Sequence, residues 1–88
     1  MNMASTITFS LRNNQMTDLI NVNVTDLGTN QQVNGTYTLN RDESVDIQIV
    51  ADSWGKGKAY WQFWSTDGSV NSNKQQNNIA DGDECTLV

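Results

Sequence analysis

Apolar and polar residues alternate in short runs along most of this chain, and a period of two marks strands with one buried face. Ser5 to Leu11 places Ile7, Phe9 and Leu11 on one face and Thr6, Thr8 and Ser10 on the other, before Arg12-Asn13-Asn14-Gln15 breaks the pattern with turn formers. Leu19 to Leu27 resumes it, with Ile20, Val22 and Val24 inward, Asn21, Asn23 and Thr25 outward, and Gly28 closing the run. Val33, Tyr37 and Leu39 then share a face across Asn34-Gly35, a pair that either folds a type I′ hairpin turn or marks a bulge inside one strand. The kept register across the glycine favours the bulged strand. After the polar turn Asn40-Arg41-Asp42-Glu43, Val45, Ile47 and Ile49 alternate with Asp46 and Gln48 in a fourth strand.

The next stretch, Asp52 to Gly68, holds all three tryptophans. From Lys58 to about Ser65 it alternates Ala59, Trp61 and Phe63 against Tyr60, Gln62 and Trp64, so both faces of one strand carry large aromatics. A single core needs only one apolar set. The other is a second buried layer, an interface or a ligand surface. Beyond the turn Thr66-Asp67-Gly68-Ser69, the tract Asn71 to Asn78 has no hydrophobic anchor and reads as a mobile loop. Ile79-Ala80 is a candidate short strand, Asp81-Gly82-Asp83 a turn, and Glu84 to Val88 a last strand with Cys85 and Leu87 on its inner face.

No segment has useful helical periodicity and nothing repeats. The pattern predicts an all-β fold: a small immunoglobulin-like antiparallel β-sandwich, or a small barrel, of six or seven short strands. The run Gly35-Thr36-Tyr37-Thr38-Leu39 followed by Glu43-Ser44-Val45-Asp46-Ile47 resembles a rhythm common in immunoglobulin-like modules and in many unrelated sandwiches. It brings no family and no site with it. At 88 residues the chain is a single β domain spanning 1–88, with room for one modest core.

Charge narrows the partners. The net charge is −5, and the five cations (Arg12, Arg41, Lys56, Lys58, Lys74) are scattered apart from one pair, which argues against nucleic acid, whose binding draws on clustered Lys and Arg. No run approaches a membrane span of about 20 apolar residues. The opening Met-Asn-Met-Ala-Ser lacks a basic region followed by an apolar stretch, as expected of a cytoplasmic chain or one exported without a visible leader. Cys85 stands alone and there is no histidine, which removes an internal disulfide framework, the commonest general base and the commonest transition-metal ligand. Catalysis is not expected of so small a chain.

The aromatic strand carries the candidate chemistry. Large aromatics most often serve burial, and on that view Tyr60 and Trp64 are ordinary half-exposed neighbours of a core strand. Alternatively, Tyr60, Gln62 and Trp64 form a platform, with rings about 13 Å apart on the strand and an amide between them suited to sugar hydroxyls. Trp54, in the Asp-Ser-Trp-Gly-Lys-Gly loop, either caps the core or joins that ligand site. Asp81, Asp83 and Glu84 are weak candidates for calcium, which takes six to eight oxygen ligands; a solvated acidic turn accounts for them as well. The sequence thus points to a non-catalytic binding module for carbohydrate, lectin-like, using Trp54, Tyr60, Gln62 and Trp64. The alternative is a structural or protein-interaction module that buries its outer aromatics in a homo-oligomer or against another protein.

Overall fold

The computed structural model describes residues 5–88, so the leader reading of Met1–Ala4 lies outside the described residues. Eight strands follow in order: β1 (Thr6–Arg12), β2 (Ile20–Asp26), β3 (Gln31–Gln32), β4 (Tyr37–Leu39), β5 (Ser44–Val50), β6 (Lys56–Ser65), β7 (Asn71–Ala80) and β8 (Glu84–Thr86). They make two sheets. Sheet I has the order β5-β1-β8, and sheet II the order β3-β2-β6-β7 with β4 also paired to β2. The expected all-β sandwich is therefore present. Every pairing is antiparallel except β1 with β8, which run parallel from Ser10–Glu84 to Arg12–Thr86.

The alternating residues fill the space between the sheets. Sheet I contributes Ile7, Phe9, Leu11, Ile47 and Ile49, sheet II contributes Ile20, Val22, Val24, Ala59, Trp61 and Phe63, and all are buried. Trp61 is fully enclosed, with its ring centroid 6.2 Å from that of Phe9. Its indole Nε1–H donates to the Leu87 carbonyl at 3.0 Å, so the one polar atom of the ring is satisfied inside the core. Leu87 and Cys85 are buried as the period-two pattern of the last strand predicts.

Two polar side chains, read in the sequence only as turn and strand-end residues, pin the ends of the sandwich. Asp26, at the end of β2, accepts the Gly28 amide on Oδ1 (2.8 Å) and the Val50 amide on Oδ2 (2.9 Å), which ties sheet II to β5 of sheet I. Buried Asn13 donates to the Leu39 carbonyl and accepts the Gln15 amide, joining the loop after β1 to the end of β4. Gly57 is no flexible loop glycine. It faces the core in β6, and a Cβ there would lie 2.5 Å from Ile49 Cδ1, so its bareness lets the sheets close.

Asn34-Gly35 lies inside an interrupted strand. β3 and β4 both run antiparallel along β2, with Gln32 opposite Thr25 and Tyr37 opposite Val22, and residues 33–36 bulge between them. The Val33 amide still donates to the Val24 carbonyl at 2.8 Å. Asn34 takes the left-handed φ of 57°, which asparagine tolerates better than most residues.

The tract Asn71 to Asn78 is corrected: it is most of β7, a ten-residue edge strand paired with β6 from Lys56–Ala80 to Trp64–Asn71. Its anchor lies in the same strand, because Ile79 is buried opposite Gly57. Ile79-Ala80 is thus the end of β7 and no separate strand. An edge strand needs one backbone ladder and little apolar surface, and half-buried Lys74 covers the Trp61 ring with its ammonium 6.0 Å from the centroid. A bulge between Gly57 and Ala59, where Asn78 has φ of 57°, re-aims the strand without ending it.

Candidate ligand-binding face

The aromatic strand sits inside sheet II, with β2 on one side and β7 on the other. Because Ala59, Trp61 and Phe63 point into the core, strand alternation sends Tyr60, Gln62 and Trp64 outward together. Tyr60 and Trp64 are half-buried and Gln62 is exposed. The register sets their neighbours: Tyr60 lies between Thr25 and Gln75, Gln62 between Asn23 and Asn73, and Trp64 between Asn21 and Asn71. Two rings and an amide on the central strand are therefore framed on both sides by amides and a hydroxyl.

The flanking side chains are partly fixed. Thr38 Oγ1 donates to Asn21 Oδ1 at 2.8 Å, and Thr36 Oγ1 donates to Asn23 Oδ1 at 2.7 Å. Gln32 Nε2 adds a bond to the same Asn23 oxygen at 3.3 Å. Along the outward side of β2, β6 and β7 the charged side chains are Lys56 and Lys58, both beyond Tyr60 at one end, and none of the ten acidic residues stands there. An acidic protein thus carries one extended face that is almost free of charge.

Trp54 stands apart from the other three. It occupies the turn before β6, 82% exposed, where Asp52 Oδ1 accepts both the Trp54 and Lys56 amides. Lys56 to Ala59 separate that turn from Tyr60 along the strand. The acidic turn likewise has structural duties. Asp81 Oδ1 accepts the Thr8 amide at 2.8 Å, and Asp83 Oδ2 accepts the Ala80 amide at 2.9 Å, while Glu84 lies in β8 opposite Ser10. Among the described residues no group of three or more histidine, cysteine, aspartate or glutamate side chains is arranged to hold a metal ion. Burial, with the Asp83 charge adding to it, pushes the Cys85 thiol up, away from the reactive thiolate.

Beyond Trp64 the strand ends in the turn from β6 to β7. Asp67 Oδ1 accepts hydrogen bonds from the Ser65 hydroxyl (2.7 Å), the Ser69 amide (2.9 Å) and the Ser69 hydroxyl (2.7 Å). Those bonds, the Ser65 hydroxyl first, hold its carboxyl at about 2, below the usual 3.8. A carboxyl depressed in the folded state stabilises fully above its ordinary value and loses that contribution as the pH falls toward the depressed one. Asp67→Asn should therefore flatten the fall in melting temperature between pH 3.8 and about 2. An acid slope identical to that of the parent would show that the turn contributes nothing to stability.

Asn21, Asn23, Asn71, Asn73 and Gln75 are the members of this face that the sequence reading missed. The first two were legible as outward residues of β2, but only the register with β6 places them beside the aromatics, and the β7 residues were hidden by reading their tract as a loop. Compared with protein-family models, curated proteins and solved structures, the chain matches none, so the face is interpreted from its own residues.

Proposed function

We propose that the outward face of sheet II is a non-catalytic carbohydrate-binding surface in which Tyr60 and Trp64 stack on sugar rings and Gln62 hydrogen-bonds between them. The observation that carries this reading is the pair of half-buried aromatics, four residues apart on one strand, set in a field of uncharged amides. Sugars offer apolar ring faces and a rim of hydroxyls, and this surface offers the matching partners. Trp54, on its separate turn, is a peripheral contact at most. The outward rungs supply neither of the two carboxylates that glycoside hydrolysis uses, which supports binding without turnover.

An interface with a protein or a second copy is a weaker reading, because the centre of such an interface is apolar and the outward rungs from Tyr60 to Trp64 hold two aromatics and no aliphatic side chain. The test is Trp64→Ala, compared with the parent by affinity electrophoresis and calorimetry against a panel of neutral glycans. The variant should fold normally and bind about 5- to 150-fold more weakly, at about 1 to 3 kcal/mol for a lost anchor contact. Equal binding by parent and variant would remove Trp64 from the site and the reading with it. Sedimentation addresses the other possibility: a stable dimer whose tryptophans are shielded from quencher would favour the interface.

A further inference from the structure

On the reading of this face as a glycan surface, we infer that it holds the interior of a linear, neutral polysaccharide whose axis runs along β6, between an amide row on β2 and another on β7. The axis follows from the aromatics. Both stacking rings belong to one strand, so the line joining them is the strand itself, about 13 Å from one to the other. A ligand crossing the strands would meet one ring only, and sheet twist of roughly 20 to 25° per strand would carry a stiff chain away from the surface.

The amide rows fit the same axis. β2 lies between β4 and β6, and the Asn21 and Asn23 oxygens are occupied by Thr38 and Thr36, so the amide nitrogens are the groups these side chains offer a ligand. Asn73 and Asn71 stand across β6, opposite Gln62 and Trp64. A polymer lying over Tyr60, Gln62 and Trp64 has hydroxyls on both edges, and each edge meets one row. Neutrality of the ligand follows from the absence of charge over these rungs. A carboxylate or sulfate on each sugar would need cations along the whole face, and the two at hand, Lys56 and Lys58, both lie beyond its Tyr60 end.

Recognition of a chain interior follows from shape. A site that reads a chain end encloses it, whereas Tyr60, Gln62 and Trp64 line neither of two recesses in the surface, one beyond the Tyr60 end lined by Val50, Asp52, Lys56 and Lys58 and the other by Arg12, Glu84 and Thr86. Gln62 between the two rings is exposed and both rings are half-exposed, so the surface over the strand is open from Tyr60 to Trp64.

The experiment is calorimetry on the full chain with soluble neutral polysaccharides (hydroxyethylcellulose, galactomannan, mixed-linkage glucan and xylan) and with size-graded oligosaccharides of whichever binds. Affinity should rise with oligosaccharide length and then level off, and it should be unchanged when the reducing end is converted to an alditol. Asn21→Ala and Asn73→Ala, on opposite sides of β6, should each weaken polymer binding about threefold to tenfold, as for a lost neutral hydrogen bond. Tyr60→Ala and Trp64→Ala should both weaken it further. Binding of a monosaccharide as tight as that of the polymer, loss of binding on end reduction, or indifference to Tyr60→Ala would overturn the axis while leaving a glycan surface in place. Failure to bind any of the polymers or their sugars would remove both.

Discussion

Replacing Trp61 by alanine should destabilise the domain by about 3 to 5 kcal/mol, the cost of emptying a large core site, against a total of only about 5 to 15 kcal/mol for a domain of ordinary stability. The ring is fully enclosed and packs on Phe9. Its loss also leaves the Leu87 carbonyl without its indole donor in the core, and an unpaired buried acceptor adds to the cavity penalty. Urea titration monitored by circular dichroism is the direct measurement. Trp61→Phe separates the two contributions, because it restores most of the volume but not the N–H. A Trp61→Ala midpoint close to that of the parent would mean that the sheets collapse over the vacancy and that Trp61 is not the centre of the core. Trp64, three residues along and on the other face, should leave the midpoint nearly unchanged when truncated.

Deleting Cys85 to Val88 should cost several kcal/mol, at about 2 to 5 kcal/mol for each large core side chain removed. Leu87 is fully buried and Cys85 nearly so. The deletion also removes the parallel ladder to β1, the Leu87 amide bond to the Arg12 carbonyl and the paired bonds between Asn14 and the Val88 backbone. β1 would then be exposed as a free edge, and the indole of Trp61 would lose its acceptor. The truncated protein should be largely unfolded at room temperature or precipitate through that edge. Melting within a few degrees of the full chain would show that β8 is an accessory to sheet I and not its third member.

The strands that were legible from the sequence are those whose burial is one-sided. In β1, β2 and β5 the inward row is apolar and the outward row mostly polar, and in β6 the inward Ala59, Trp61 and Phe63 alternate with an outward row of lysines, Tyr60, Gln62 and Trp64, so alternation alone located all four strands. β7 was not legible because its order comes from a ladder of backbone bonds to β6, and backbone bonds leave no trace in side-chain polarity. The site divides in the same way. Tyr60, Gln62 and Trp64 share one strand and are grouped by period two, whereas Asn21, Asn23 and Asn73 reach them across strands, through a register that no local pattern encodes. Trp54 shows the opposite failure. It lies close in sequence, yet the Asp52 turn holds it at the end of the strand.

The pairing of β1 with β5 and β8 fixes where the entropy of chain closure is spent. In sheet I every rung, from Arg12–Ser44 to Thr6–Val50 and on to Ser10–Glu84, joins segments far apart in sequence, while β6 and β7 of sheet II are joined by a short turn. The closure cost of a rung grows only slowly with loop length, but it falls due before any contact offsets it. Sheet I accordingly has no local fragment able to stand alone. Its two halves become worthwhile only when both press on Trp61 and its neighbours, which makes the loss of either half a loss of the whole.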